Sequence, residues 1–136
     1  MSAEHAHLPP GVDVIATLPD AAPRIPAGAE ARTVRVTLSP GDPGAPPHRH
    51  PGPLFGYVTE GEILFELEGQ PPRVLKAGDA VFEPGGEVIH YQGGNNLPDA
   101  QSQLVVTMFA LPGTPILTVV GAEELAERRH LRFTQP

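Results

Sequence analysis

The chain has 136 residues, with 9 Lys and Arg against 16 Asp and Glu, a formal net charge of −7 and no cysteine. This length fits one domain, and the acidic balance without a basic patch argues against nucleic acid or an anionic membrane as a partner. The missing cysteine excludes disulfides, thiolate metal sites and cysteine nucleophiles, so any metal needs His, Asp, Glu, Gln or backbone oxygen ligands.

The N-terminal part of the chain predicts a tail and one edge strand. Residues 1–11 are polar and lack the basic and apolar regions of a signal peptide, so they predict a flexible tail. No run of about 18 apolar residues occurs anywhere, and we therefore expect a cytoplasmic protein that does not span a membrane. Residues 12–18 are apolar and predict a first edge strand, so we place the folded domain over residues 12–120.

Short β-branched and apolar runs, separated by Pro and Gly, continue to residue 120 and indicate an all-β domain. Val34, Val36 and Leu38 alternate with polar residues, as in a half-buried strand. Further strands are predicted at residues 54–59, 63–68, 73–75, 80–83, 88–91, 103–111 and 116–120. Residues 41–53 and 93–98 predict loops, and residues 122–130 predict a helix within a C-terminal segment, 121–136. The pattern favours a β-barrel or a sandwich.

Two histidines in the loop at residues 41–53 suggest a metal site. His48 and His50 are separated by one residue, so in an extended chain both side chains point to the same side and can reach one ion. Two exposed imidazoles are the more common explanation of an isolated pair, as His5 and His7 in the tail illustrate. The residues around His48 and His50 therefore have to distinguish a metal site from a loop with two exposed histidines.

Residues 34 to 110 resemble the cupin superfamily. The first family motif contains a Gly, His-x-His, a Glu and a Gly, and its matches here are Gly41, His48, His50 and Gly61. The second motif contains a Gly, Pro-x-Gly and a His, and its matches are Gly78, Pro84 and Gly86. The resemblance implies a jelly-roll barrel, or double-stranded β-helix, with one divalent metal ion (Fe, Zn, Ni, Mn or Cu). It also implies a small-molecule substrate or ligand and a homodimer.

The chain departs from the family pattern at two positions. Leu54 stands where the family has its Glu ligand, and His90 comes one residue after the expected position, which is Ile89. A shift of one residue turns a side chain to the opposite face of a regular strand. Three explanations are open: a β-bulge near residues 85–86 that aims His90 inward, an outward His90 that leaves a two-histidine site, or a metal-free cupin with an apolar pocket.

We predict that His48, His50 and His90 bind the metal. The predicted pocket residues are Leu54, Tyr57, Glu83 and Gln92, and Glu83 is a candidate general base or partner of a ligating histidine. Outside the site, we expect Glu66, Glu68 and Arg49 to face solvent.

Three imidazoles leave coordination positions open for Lewis-acid or oxygen chemistry. The resemblance thus implies a metal-dependent enzyme, dioxygenase-like or isomerase-like, that acts on a small molecule. The alternative is a non-catalytic cupin that binds or senses a small ligand. In either case, residues 12–18 are candidates for strand exchange between the two subunits of a homodimer.

Overall fold

The fold was analysed in a computed structural model, which describes residues 8–20 and 25–135. Most of the predicted tail, including His5 and His7, lies outside the described residues. Within them, no helix is long and apolar enough to cross a membrane.

The described residues form two antiparallel sheets followed by a short helix. The strands are β1 (Glu30–Leu38), β2 (His48–Arg49), β3 (Leu54–Glu60), β4 (Glu62–Leu67), β5 (Arg73–Lys76), β6 (Ala80–Glu83), β7 (His90–Asn95), β8 (Ser102–Ala110) and β9 (Thr118–Val119). After them come α1 (Ala122–Glu127) and a 3₁₀ turn at Arg129–Leu131. The first sheet has the order β1-β8-β3-β6 and the second β5-β4-β7-β2-β9. The predicted all-β jelly-roll with a short C-terminal helix is confirmed.

Alternating apolar side chains from both sheets form the core. In β1, Val34, Val36 and Leu38 are more buried than their polar neighbours, as the period of two predicts. The main core cluster contains Leu38, Val58, Ile63, Phe65, Leu67, Leu75 and Val81. A second cluster, of Leu54, Val106 and Met108, lies beside it in the first sheet. The space next to this second cluster holds the candidate site.

Three predicted elements were wrong. Residues 12–18 form no strand, because no other strand pairs with them. The predicted loop at residues 93–98 is partly strand, since β7 begins at His90 and continues through Gly93 and Gly94. A Cβ on Gly94 would lie 2.5 Å from the Pro43 carbonyl oxygen, so glycine lets the incoming loop pack directly on this strand. Within the loop at residues 41–53, His48–Arg49 form the short strand β2.

The outer face of the second sheet is covered by the C-terminal segment, which corrects the prediction that three side chains face solvent. Glu66 is only 1% exposed and accepts two hydrogen bonds from Arg132, both of 2.8 Å. Arg128 binds Glu68 in the same way, at 3.0 and 2.6 Å. Arg49 pairs with Glu124 of α1 at 2.6 Å.

Candidate metal centre

Strand pairing brings the three predicted metal ligands together. His48 in β2 lies directly opposite His90 in β7, and the two ring centroids are 4.8 Å apart. His50 follows two residues later, and its ring centroid is 4.7 Å from that of His48. Each of the three histidines offers a ring nitrogen within 4.8 Å of the other two, and all three side chains are buried. They therefore form one cluster.

Backbone carbonyls fix the orientation of the first two imidazoles. The Nδ1 atom of His48 lies 2.7 Å from the Pro46 oxygen, and Nδ1 of His50 lies 3.0 Å from the Ile116 oxygen. A carbonyl accepts only, so each Nδ1 carries the hydrogen and each neutral ring has its lone pair on Nε2. The two Nε2 atoms face each other at 3.1 Å. Two lone pairs at this distance suit the binding of one cation.

His90 points into the barrel, which excludes the explanation in which it faces outward. Leu67 of β4 pairs with His90 while Glu66 pairs with Gln92, so Tyr91 is an extra residue and forms a β-bulge. A bulge was predicted near residues 85–86 but lies instead at Tyr91. Because β7 begins only at His90, no regular strand before it forces Ile89 inward.

Glycine leaves the space that the His90 ring occupies. A Cβ on Gly93 would lie 2.9 Å from Cε1 and 3.1 Å from Nε2 of His90. Among the residues that the structure describes, neither ring nitrogen of His90 has a hydrogen-bond partner, although both are buried. Buried polar atoms without partners are costly, and a bound cation would satisfy one of them. The cluster therefore fits a divalent metal.

A buried carboxyl group lies beside the histidines. Oε1 of Glu83, at the end of β6, is 3.3 Å from Nδ1 of His90 and 3.8 Å from Nε2 of His50. Burial raises the pKa of Glu83 to about 8. Burial, together with the nearby His48 and His50, lowers the pKa of His90 to about 3. In the metal-free protein at neutral pH, this contact thus joins a protonated carboxyl group and a neutral imidazole rather than two ions.

The first two imidazoles are also kept neutral. Burial is the main cause that lowers the pKa of His48 and of His50, and it outweighs the hydrogen bonds to Pro46 and Ile116, which raise it. Neutral imidazole is the form that binds a metal. All three rings are thus in the ligand form at neutral pH.

The histidines line one end of a mostly apolar cavity of about 160 Å³. Its other walls come from β1, β3, β4 and β8 and include Val36, Leu54, Phe65, Leu104 and Met108. Two of the four predicted pocket residues, Leu54 and Glu83, line this cavity. The polar groups of the cavity are concentrated at its histidine end.

The structure corrects the two remaining pocket residues. Tyr57 is 41% exposed and borders a groove on the outside of the first sheet. Period-two alternation already indicates this, since Leu54 and Tyr57 are three residues apart in one strand and face opposite sides. The Gln92 amide donates to Glu66 at 2.7 Å on the outer face of the second sheet. Gly93, which sequence reasoning missed, lines the cavity after the bulge.

Comparison with known proteins agrees with this geometry. The Cupin domain family matches residues 34–97. The chain is 36% identical over 98 residues to the dimethylsulfoniopropionate lyase DddQ of Ruegeria pomeroyi, a match that covers 72% of this chain and 47% of that protein. This chain therefore spans about half the length of that relative.

Solved structures show the same architecture. The crystal structure of the DMSP lyase DddQ from Ruegeria pomeroyi superposes with a TM-score of 0.57 at 26% identity, covering 69% of this chain and 44% of that one. A cupin-like protein from Thermotoga maritima gives 0.55 at 25% identity, covering 77% and 75%. An oxalate oxidase in complex with the substrate analogue glycolate gives 0.53 at 26% identity, covering 76% and 57%. The jelly-roll barrel with an internal histidine cluster defines a cupin, and the chain belongs to the cupin superfamily.

Proposed function

We propose that this chain is a metal-dependent cupin that acts on a small molecule, with His48, His50 and His90 as ligands of one divalent ion. The observation that carries the proposal is the 3.1 Å separation of the Nε2 atoms of His48 and His50, whose Nδ1 hydrogens are both used by backbone carbonyls. With a metal–nitrogen distance of about 2.1 Å, two ligand atoms are about 3.0 Å apart at a right angle and about 3.4 Å apart at the tetrahedral angle. The observed separation falls in this range.

The ion, when bound, supplies Lewis acidity and open positions for substrate or oxygen. Imidazole nitrogens accept Fe, Zn, Ni, Mn and Cu, so these ions are the candidates. The protein itself contributes two imidazoles of fixed orientation and a mostly apolar cavity, both of which favour one binding geometry for a small substrate.

For the substrate, we propose a small carboxylic acid with a short apolar part. The cavity of about 160 Å³ limits the size, and its apolar walls suit a hydrocarbon segment directed away from the histidines. The relatives support the acid group, because one is a dimethylsulfoniopropionate lyase and another is an oxalate oxidase. A carboxylate would bind at the metal end, where the positive charge lies.

A dioxygenase-like reaction is the specific form of this proposal. Three neutral ligands leave room for both a substrate and oxygen, and the apolar walls exclude water from the reaction. We expect Fe(II)-loaded protein to consume oxygen when small carboxylic acids are present, as measured with an oxygen electrode. Turnover of the same acids without oxygen would instead indicate a lyase or an isomerase.

The second candidate function is a non-catalytic cupin that binds or senses a small ligand. The observation that favours it is Leu54, a buried apolar residue in the cavity at the position of the family's Glu ligand. Such a protein would bind a small acid in the absence of metal. Calorimetric titration of the metal-free protein with propionate tests this, since binding that does not change after metal addition favours the second candidate.

Elemental analysis of the purified protein tests the metal proposal directly. We expect close to one metal ion per chain in the wild type and a large loss in both His48→Ala and His90→Ala. His130→Ala is the matched control, because His130 is an exposed histidine in the 3₁₀ turn far from the cluster. Unchanged metal content in His90→Ala, or none in the wild type, would contradict the three-histidine site.

A further inference from the structure

We propose that Glu83 is a fourth ligand of this metal. Its carboxylate extends from β6, and its partner in the neighbouring strand β3 is Leu54. The inference rests on the proposed metal site and extends it by one residue. It follows from the position, surroundings and distances of the Glu83 side chain, and it changes the site from three neutral ligands to three neutral ligands and one anion.

The position of Glu83 is that of a side chain aimed into the cavity. The residue is 6% exposed and lines the cavity together with all three histidines. Of the cavity-lining residues, it is the one that carries a carboxyl group. The loop after β6 is fixed close to the histidines, since the Gly86 amide donates to the His50 carbonyl oxygen at 2.9 Å. The backbone next to Glu83 is therefore held beside the histidines.

Glu83 also lacks the partners that a structural carboxyl group has. In the described part of the chain, its side chain makes no hydrogen bond, whereas the equally buried Glu66 accepts from both Arg132 and Gln92. Burying a polar group without partners is costly. Ring nitrogens of His50 and His90 lie within 4 Å of its carboxyl group, and a shared cation could bind these nitrogens and the carboxylate together.

The distances fit a common ion. The Glu83 oxygen lies 3.3 Å from Nδ1 of His90 and 3.8 Å from Nε2 of His50. Ligand atoms about 2.1 Å from one metal are separated by about 3.0 to 4.2 Å, depending on the angle between them. Both contacts fall within this interval, as the 3.1 Å contact between His48 and His50 does.

Strand register explains how a carboxylate can reach this space without a Glu in β3. Leu54 and Glu83 are direct partners in the antiparallel pair of β3 and β6. Directly opposed side chains leave the same face with Cβ atoms about 4.5 to 5.5 Å apart. In this chain the carboxylate thus comes from β6, one strand away from the family's position in β3. The apolar side chain of Leu54 occupies that position in β3.

A reciprocal exchange tests the proposal. The variants are Glu83→Leu, the double variant Leu54→Glu with Glu83→Leu, and Glu66→Gln as a control that alters another buried carboxylate outside the cavity. Co²⁺ is added to metal-free protein, and both the dissociation constant and the visible absorption of the bound ion are measured. Should Glu83→Leu not fold, Glu83→Gln gives the same comparison with nearly unchanged volume.

If Glu83 is a ligand, Glu83→Leu weakens Co²⁺ binding by more than about 100-fold, beyond the 10–100-fold typical of groups that only support a ligand. The absorption spectrum changes, the double variant regains affinity to within about tenfold of wild type, and Glu66→Gln binds normally. A smaller loss, an unchanged spectrum, or no recovery in the double variant overturns the proposal. The histidine site still stands in that case if His48→Ala loses Co²⁺, whereas both proposals fail if the wild type does not bind it.

Discussion

Burial controls the protonation of the residues around the cavity. It is the largest cause of the lowered pKa of all three histidines and the cause of the raised pKa of Glu83. In the metal-free protein, each of these four groups is therefore most stable in its neutral form. The folded and unfolded chains therefore bind different numbers of protons at a given pH, so the stability of the metal-free protein depends on pH.

We expect metal-free protein to be most stable near pH 6.5. Below this pH the unfolded chain binds protons at three histidines that the folded protein does not bind, so stability decreases as pH falls. Between 4.5 and about 8 folded Glu83 keeps a proton that the unfolded chain has lost, so stability decreases as pH rises. The three histidines outweigh Glu83 below about pH 6.5, and Glu83 dominates above about pH 7, where the histidines of the unfolded chain have lost most of their protons.

Urea denaturation at three pH values checks this prediction. From about pH 7 to about pH 8, the free energy of unfolding should decrease by up to about 1 kcal/mol, because one pKa unit corresponds to about 1.4 kcal/mol and the histidines of the unfolded chain offset part of the change. Glu83→Gln should remove this decrease. The same decrease in the variant would show that another group causes it.

Gly93 provides a second test at the level of one residue. In Gly93→Ala the new Cβ would lie 2.9 Å from Cε1 of His90, so the ring has to move. We expect metal content to decrease while the fold is kept, measured by elemental analysis and circular dichroism. Gly121→Ala is the control, because a Cβ there meets no atom within 4 Å. Full metal content in Gly93→Ala would show that the His90 ring tolerates displacement.

At the level of elements, the C-terminal segment covers the second sheet through ion pairs. Arg132 binds Glu66 through two hydrogen bonds and lies over the ring of Tyr91, 4.3 Å from its centroid. Arg132→Ala leaves the Glu66 carboxylate buried with Gln92 as its remaining partner. We expect the free energy of unfolding to decrease by about 1–3 kcal/mol, measured by urea denaturation.

Arg129→Ala is the matched control for this ion pair. Arg129 is exposed and makes no ion pair with any residue that the structure describes. Its replacement should change stability by no more than about 0.5 kcal/mol. Equal losses in the two variants would mean that the ion pair with Glu66 does not account for the stabilising effect of Arg132.

These elements also show what the sequence can predict. β1 follows from the local alternation of Val34, Val36 and Leu38, and the pairing of His48 with His50 follows from a motif of three residues. The inward direction of His90 depends on a bulge opposite Glu66 and Leu67, which no local pattern specifies. The burial of Glu66 likewise depends on Arg132, which is 66 residues away in the chain.

At the level of the whole molecule, an unpaired strand edge offers a surface for a second copy of the chain. Among the described strands, β1 pairs only with β8, so nine residues present a free edge at the side of the first sheet. The mostly apolar residues 12–18, predicted as a strand, pair with none of the described strands. Ile15 and Ala16 instead border the outer groove that contains Tyr57.

A homodimer in which each chain covers this edge or groove of the other would bury these apolar side chains. We therefore expect a mass of about twice 14.4 kDa by light scattering, and a shift towards monomer in Ile15→Asp, because a charge in an apolar interface is costly. Asp13→Asn alters a charged position of the same segment without placing a charge on an apolar one, and it should remain dimeric. A monomeric wild type would mean that the edge of β1 and the groove at Tyr57 stay open to solvent, with the cavity and its histidines complete within one chain.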